Sequence, residues 1–224
     1  MEIVEYMPDY LKHVELGGWV KSAFISRLDG VQVSTDKDAV VAALEPEHFT
    51  VSKELGFEKE QFYRATQVHG NVVEEILSLG QQERMIEGVD GLMTKLPGVL
   101  LGIYVADCGA IYIVDPEEKG IALLHSGKKG TEGNILGEAI TKMKESWGSK
   151  SKHLKVLLAP CIRPPHYEID FAATIKEQAI AAGVTAENYH DCGICTGECV
   201  GQFYSYRIEK GNTGRNLALL GISS

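Results

Sequence analysis

The chain has 224 residues, 44% hydrophobic and 24% charged, with a formal net charge of −9, the length and balance of one globular domain with a sizeable core. That charge argues against a nucleic-acid partner, whose phosphates would need Lys and Arg to neutralise them. No run is apolar enough to cross a membrane, the acidic opening "MEIVEYMPDYLKHVELGG" lacks a signal-peptide core and cleavage site, and an odd five cysteines fit reduced thiols in the cytoplasm.

In chain order, strand-like apolar runs are expected at 19–28, 62–68, 98–107, 110–115, 120–125 and 154–160, with two more near 203–208 and 216–222. Helical spacing appears at 36–56, where Pro46 should break it, and at 171–183, with Gly183 as a natural stop. The clearest helix is expected in "GTEGNILGEAITKMKESWG" (130–148), where Ile135, Leu136, Ala139, Ile140, Met143 and Trp147 recur every three or four residues. No repeat, low-complexity tract or linker divides the chain, so residues 1–224 are read as a single domain.

The stretch "GIALLHSGKKG" (120–130) runs from an apolar strand into His125, two glycines and two lysines. A helix beginning there would offer free N–H groups and the positive end of its dipole beside Lys128 and Lys129, a setting for a phosphate or carboxylate. Two other runs close in the same way: 62–68 is followed by His69, and 98–107 ends on Asp107 with Cys108 next. Histidine and cysteine are the usual zinc donors, and three protein ligands with an open position mark a catalytic zinc site. The same residues could serve a metal-free nucleophile, with Cys108 as thiolate and His125 or His69 as its base. A second cluster, "CGICTGEC", sets Cys192, Cys195 and Cys199 close together, with Cys161, His190 or Asp191 available as a fourth ligand. The zinc-deaminase signature of a Pro-Cys-x-x-Cys pair is absent, since "APCIRPP" has only its first cysteine.

The order of the segments "AFISRLDGV" (23–31), "QVHGNVV" (67–73), "GVDGLMTKLPGVLLGIYVADCGAIYIVDPEEKGIALLHSGKKGT" (88–131), "LAPCIRPPHYEI" (158–169) and "FYSYRIEKGNTGRNLALL" (203–220) resembles the YfiH-like laccase-domain family. Its members were once named multicopper polyphenol oxidases and later recognised as purine nucleoside phosphorylases. The resemblance implies an α+β fold, one layered domain of mixed β-sheets enclosed by helices in an α/β/β/α-like order. It also implies zinc held by His69, Cys108 and His125, with copper the lesser expectation, because a type 1 copper centre alone takes two His and a Cys. The implied chemistry is phosphorolysis of inosine, adenosine or methylthioadenosine to free base and sugar 1-phosphate, with adenosine deamination beside it.

On that likeness the catalytic set would be His69, Cys108, His125 and Asp107, with Arg27, Lys128 and Lys129 holding phosphate. The partners are then a small purine nucleoside and phosphate, with no nucleic acid and no membrane; the oligomeric state is left unknown. Where the family usually reads His-Ala-Gly-Trp-Arg-Gly, this chain reads "HSGKKG". A ring is lost at Lys128 and a forked guanidinium becomes a point charge at Lys129, which is not a conservative change at a phosphate site. A metal-free Cys108/His125 hydrolase or deamidase and a non-enzymatic zinc protein are the rival readings.

Overall fold

A computed structural model describes residues 18–80 and 84–224; the opening segment inspected for a signal lies mostly outside them. The strands build two sheets. A five-stranded sheet runs in the order β1 (Val20–Ile25), β11 (Asn216–Ile222), β6 (Leu100–Val105), β2 (Phe62–Ala65), β4 (Met85–Ile86). A six-stranded sheet runs β10 (Tyr189–Asp191), β9 (Lys155–Leu158), β7 (Gly109–Asp115), β8 (Gly120–Ser126), β5 (Gly91–Thr94), β3 (Val73–Glu75). Both sheets are mixed: β11 pairs antiparallel with β1 and β6, while β2 pairs parallel with β6 and β4.

The two-residue side-chain period of a strand explains the layering. Leu101, Ile103 and Val105 of β6 point inward with Tyr63, against Tyr112, Val114 and Leu123 of the other sheet. The alternate residues point outward. Ile111, Ile113 and Leu124 meet helices α3 (Ile135–Trp147) and α4 (Phe171–Ala181), while Leu100, Leu217 and Leu219 meet α1 (Lys37–Glu54). Each sheet is thus covered on both faces, which is why β6, β7, β8 and β11 read as unbroken apolar runs rather than alternating ones. The result is the layered helix, sheet, sheet, helix architecture expected from the sequence. Among the described residues no helix is long and apolar enough to cross a membrane.

Four expectations about elements change. Helix α1 runs through Pro46 without a break. Pro46 and Ala42, whose carbonyl loses its N–H partner to the proline ring, both lie on the exposed face, where water can satisfy that carbonyl, and buried Val41, Leu44 and His48 anchor the opposite face. The expected helix over 130–148 is two helices, a five-residue α2 (Lys128–Glu132) and α3. Between them Asn134 takes a left-handed conformation (φ 53°), and its side chain accepts the Gly137 N–H at 3.1 Å. Asparagine tolerates that backbone and caps the new helix in one stroke.

The run at 203–208 is no strand. Glu209 accepts the Ser205 N–H at 3.0 Å and the Ser205 hydroxyl accepts from the Ile208 N–H, so side chains compete for the backbone and wind it into a turn. The strands expected to end at His69 and Asp107 stop earlier, at Ala65 and Val105. Beyond Val105, residues 106–108 carry the chain from one sheet to the other, with Asp107 at φ 84° making the corner.

Candidate active site

His125 sits in β8 opposite Ala110, one residue before the strand ends. Cys108 lies at the far side of the 106–108 crossing, immediately before β7. His69 belongs to the loop joining β2 and β3, in which Gln67 (φ 60°) and His69 (φ 64°) are both left-handed. That loop is held at two points. The Gln67 amide acts as a strand partner for Tyr104, donating to its carbonyl at 2.6 Å and accepting its N–H at 2.9 Å. Asp90 then gathers the N–H groups of Val68, His69 and Gly70 at 3.2, 2.9 and 2.7 Å.

The outcome is that the ligand atoms of His69, Cys108 and His125 lie within 4.8 Å of one another, the only such group of three metal-capable side chains among the described residues. The two imidazoles meet edge to face with centroids 4.8 Å apart. The approach of the thiol needs Gly127, since a Cβ at that position would come within 2.6 Å of Cys108 Sγ. Fully buried Asp90 accepts from His125 Nδ1 at 2.7 Å. This assigns a proton to Nδ1, so that a metal would be met through Nε2 once that nitrogen gives up its own proton, the arrangement that orients a metal-ligating histidine.

Charge follows geometry. Burial alone would raise the Asp90 carboxyl, but the hydrogen bonds from His125, Gly70 and His69 outweigh it and hold it below the usual carboxylate range. Burial would likewise raise the Cys108 thiol, yet the two adjacent imidazoles pull it down to about 6. The same burial disfavours charge on His125, and the Cys108 and Asp90 charges beside it push it up to about 9. Without metal these shifts favour a Cys108 thiolate beside a protonated His125, whose Nε2 proton a metal would displace; the thiolate is the form that binds metal.

The trio forms part of the wall of a cleft of about 740 Å³. Aromatic faces are supplied by Tyr104, Tyr167, Phe171 and Tyr206, and five cations, Lys37, Lys128, Arg207, Lys210 and Arg215, also line it. Asp107 is the one carboxylate on that wall, and both of its oxygens are engaged, accepting from Thr196 Oγ1 at 2.7 Å and from the Arg207 N–H at 2.6 Å. The cleft is therefore strongly positive on a chain of net charge −9.

The structure gathers His69, Cys108, His125, Asp107 and Lys128 at this cleft and leaves Arg27 and Lys129 outside its lining. Arg27 is turned to Glu209 at 2.7 Å, donates to the Phe203 carbonyl at 3.2 Å and stacks on the Tyr204 ring. Lys129 is exposed, on the second residue of α2. Sequence reasoning missed Asp90, Lys37 and the cations of 206–215. The last group carried a signal in "YRIEKGNTGR", a cation-rich stretch that was partly absorbed into an expected strand.

The cysteine-rich loop forms no metal centre among the described residues. Cys195 Sγ lies 3.6 Å from His166 Nδ1, His190 is exposed, and Asp191 pairs with Arg163 at 3.0 Å. Burial pushes the Cys192 thiol up to about 11 and the Cys161 thiol higher still, so both stay protonated and poor ligands.

Comparison with known proteins agrees with this architecture. The family model described as multi-copper polyphenol oxidoreductase laccase matches residues 15–172 and 165–223. The chain is similar to purine nucleoside phosphorylase YlmD of Geobacillus stearothermophilus, at 29% identity over 92% of this chain and 86% of that one. It is also similar to a purine nucleoside phosphorylase of Deinococcus radiodurans, at 32% over 75% and 73%. Adenosine deaminase RL5, from an unknown prokaryotic organism, is 26% identical over 74% and 77%. The crystal structure of YlmD from Geobacillus stearothermophilus has the same fold, with a TM-score of 0.81, 24% identity and 94% of both chains covered.

Proposed function

Because this chain belongs to the multi-copper polyphenol oxidoreductase laccase family, we propose that it is a zinc-dependent purine nucleoside phosphorylase. We read it as a one-domain cytoplasmic enzyme that converts inosine, adenosine or methylthioadenosine to free base and sugar 1-phosphate. The observation that carries this reading is the pairing, in one cleft, of aromatic faces and surplus positive charge with the His69, Cys108, His125 trio. A purine ring needs the first, a phosphate the second.

His69, Cys108 and His125 would hold the metal. Two imidazoles and a thiolate, with Asp90 fixing the His125 tautomer at 2.7 Å, suit zinc as donors and leave the cleft side open. Bound there, the metal would supply a Lewis acid or a water of lowered pKa. A multicopper oxidase is poorly supported, since its type 1 centre alone would use up the one such group that the described residues hold.

In phosphorolysis the bond from C1′ to the purine nitrogen breaks, the base leaves with the electron pair and takes up a proton, and a phosphate oxygen bonds to C1′. Tyr167, Phe171 and Tyr206 would stack the base, and the cations, Lys128 among them, would hold phosphate and meet the charge that develops on it. Asp107, tied to Thr196 and the Arg207 backbone, would keep the 204–215 turn against the cleft rather than exchange protons. The similarity to a protein named adenosine deaminase supports a second activity at the same site.

The test is chromatographic detection of free base from the three nucleosides, with and without phosphate, on protein whose metal content has been measured. We expect phosphate-dependent release that is abolished, along with bound metal, in His69→Ala, Cys108→Ala and His125→Ala. Release that persists in metal-free His69→Ala, where Cys108 and His125 are intact, would overturn the zinc-dependent reading in favour of a metal-free Cys108/His125 dyad, and release that persists in metal-free Cys108→Ala or His125→Ala would overturn both.

A further inference from the structure

We infer that Lys37 and Arg215 form the anion-binding subsite of this cleft, gripping the phosphate oxygens beside the His69, Cys108, His125 trio; the assignment deepens the reading proposed above and rests on it for the identity of the anion.

The argument is one of charge that lacks a partner. Of the five cations lining the cleft, Arg207 is already paired with Glu168 at 2.7 Å and lies over the Tyr167 ring. Lys128 and Lys210 are exposed at the rim. Lys37 and Arg215 are the half-buried pair without a carboxylate partner among the described residues. Lys37 Nζ, on the first residue of α1, donates to the Thr66 carbonyl at 3.2 Å, in the loop that carries His69. Arg215, just before β11, donates through Nη1 to the carbonyls of Thr213 and Gly214, at 3.3 and 2.7 Å. Its Nε and Nη2 groups have no protein acceptor among the described residues.

Lys37 also feels the charge of Arg215. Burial and then the field of Arg215 hold the Lys37 ammonium below its ordinary value, while Asp38 and Asp90 only partly offset them. Asp90 is already saturated by His125 Nδ1 and three backbone N–H groups, so it cannot answer Lys37 directly. Burial also holds the Arg215 guanidinium below its ordinary value, only partly offset by Tyr206, Cys108 and Asp107 on the same cleft wall. Two half-buried like charges with no carboxylate between them are costly unless an anion completes the set. A phosphate, carrying between one and two negative charges near neutrality, would match the pair. The proposed subsite uses other side chains than Arg27, Lys128 and Lys129, the set expected from the sequence, of which only Lys128 lines the cleft.

The experiment is calorimetric titration of inorganic phosphate into the purified, metal-assayed protein and into Lys37→Gln, Arg215→Gln and Lys129→Gln. Loss of a charge-assisted contact should raise the phosphate Kd about tenfold or more in the first two. Lys129→Gln should bind like the wild type, and Lys37→Arg should recover most of the loss. Melting curves and metal content identify any variant that fails to fold; for Arg215 the conservative Arg215→Lys, with weakened phosphate binding and an unchanged melt, then carries the test. Wild-type affinity in Lys37→Gln and Arg215→Gln, or no phosphate binding by the wild type, would overturn the assignment. Because binding is read without turnover, a protein that binds phosphate through this pair but releases no base would sink the proposed reaction and leave the subsite standing.

Discussion

Asp90 shows how one side chain can assemble a site from distant parts of the chain. Its two oxygens accept from three successive N–H groups of the His69 loop and from His125 Nδ1, so one carboxylate sets both the position of one imidazole and the tautomer of the other. Substituting Asp90→Asn keeps the shape but replaces a charged acceptor by a weaker neutral one that also brings its own N–H donors. We expect zinc affinity to fall about 10- to 100-fold, measured by competition with a chromophoric chelator; an unchanged affinity would show that Asp90 serves the loop alone. In the sequence "GVDGLM" Asp90 reads as an ordinary turn residue between glycines, whereas His69, Cys108 and His125 stand out by chemistry. The ligand-type residues were therefore legible, and the carboxylate that orders them was not, because its partners are 20 to 35 residues away in the chain.

At the scale of elements, the clear apolar periods of β6, β7, β8, β11 and α3 were legible because burial on one or both faces dictates them. Turn chemistry was harder to read. The Gly133–Asn134 cap that divides α2 from α3, and the Glu209-centred turn that replaces an expected strand, depend on side chains capturing backbone groups, which apolar patterning does not register. Helix α1 was misread for a related reason: a proline breaks a helix only where the freed carbonyl is denied water or the ring clashes, and Pro46 is exposed.

The same helix carries a pH response. His48 is buried against Tyr104, and burial pushes its imidazole down to about 4 from 6.5. The unfolded chain takes up the proton first as pH falls, so the His48 contribution is fully present above about pH 6.5 and is lost progressively down to about pH 4. Between about pH 7 and about pH 4.5 the wild type should lose about 2 kcal/mol more stability than His48→Leu, other groups being common to both. Urea unfolding at the two pH values measures this; equal losses would mean that His48 does not remain neutral in the fold.

For the whole molecule, two sheets share one apolar core, and the crossing at 106–108 is what brings chemistry to it. The corner at Asp107 turns the chain from one sheet into the other and delivers Cys108 to His125 on the neighbouring strand, while the β2 to β3 loop, spanning the same two sheets, delivers His69. The cleft thus sits where chain crossings between the sheets converge, and the turn at 204–215 adds its cations from the third side. The layered fold could be anticipated from the order of motifs, but the charge of the cleft could not, since a net charge of −9 conceals a local surplus of lysine and arginine. That surplus, set beside aromatic faces and a His, Cys, His trio, is the reason for assigning phosphorolysis rather than simple hydrolysis.

Phosphorus NMR of the metal-assayed protein with inosine and inorganic phosphate tests that assignment most directly, because the fate of the phosphate separates the two reactions. The account predicts the signal of a sugar 1-phosphate ester growing in step with free hypoxanthine. Release of hypoxanthine with free ribose and no new phosphate ester, or no release at all from protein that carries zinc, would contradict it.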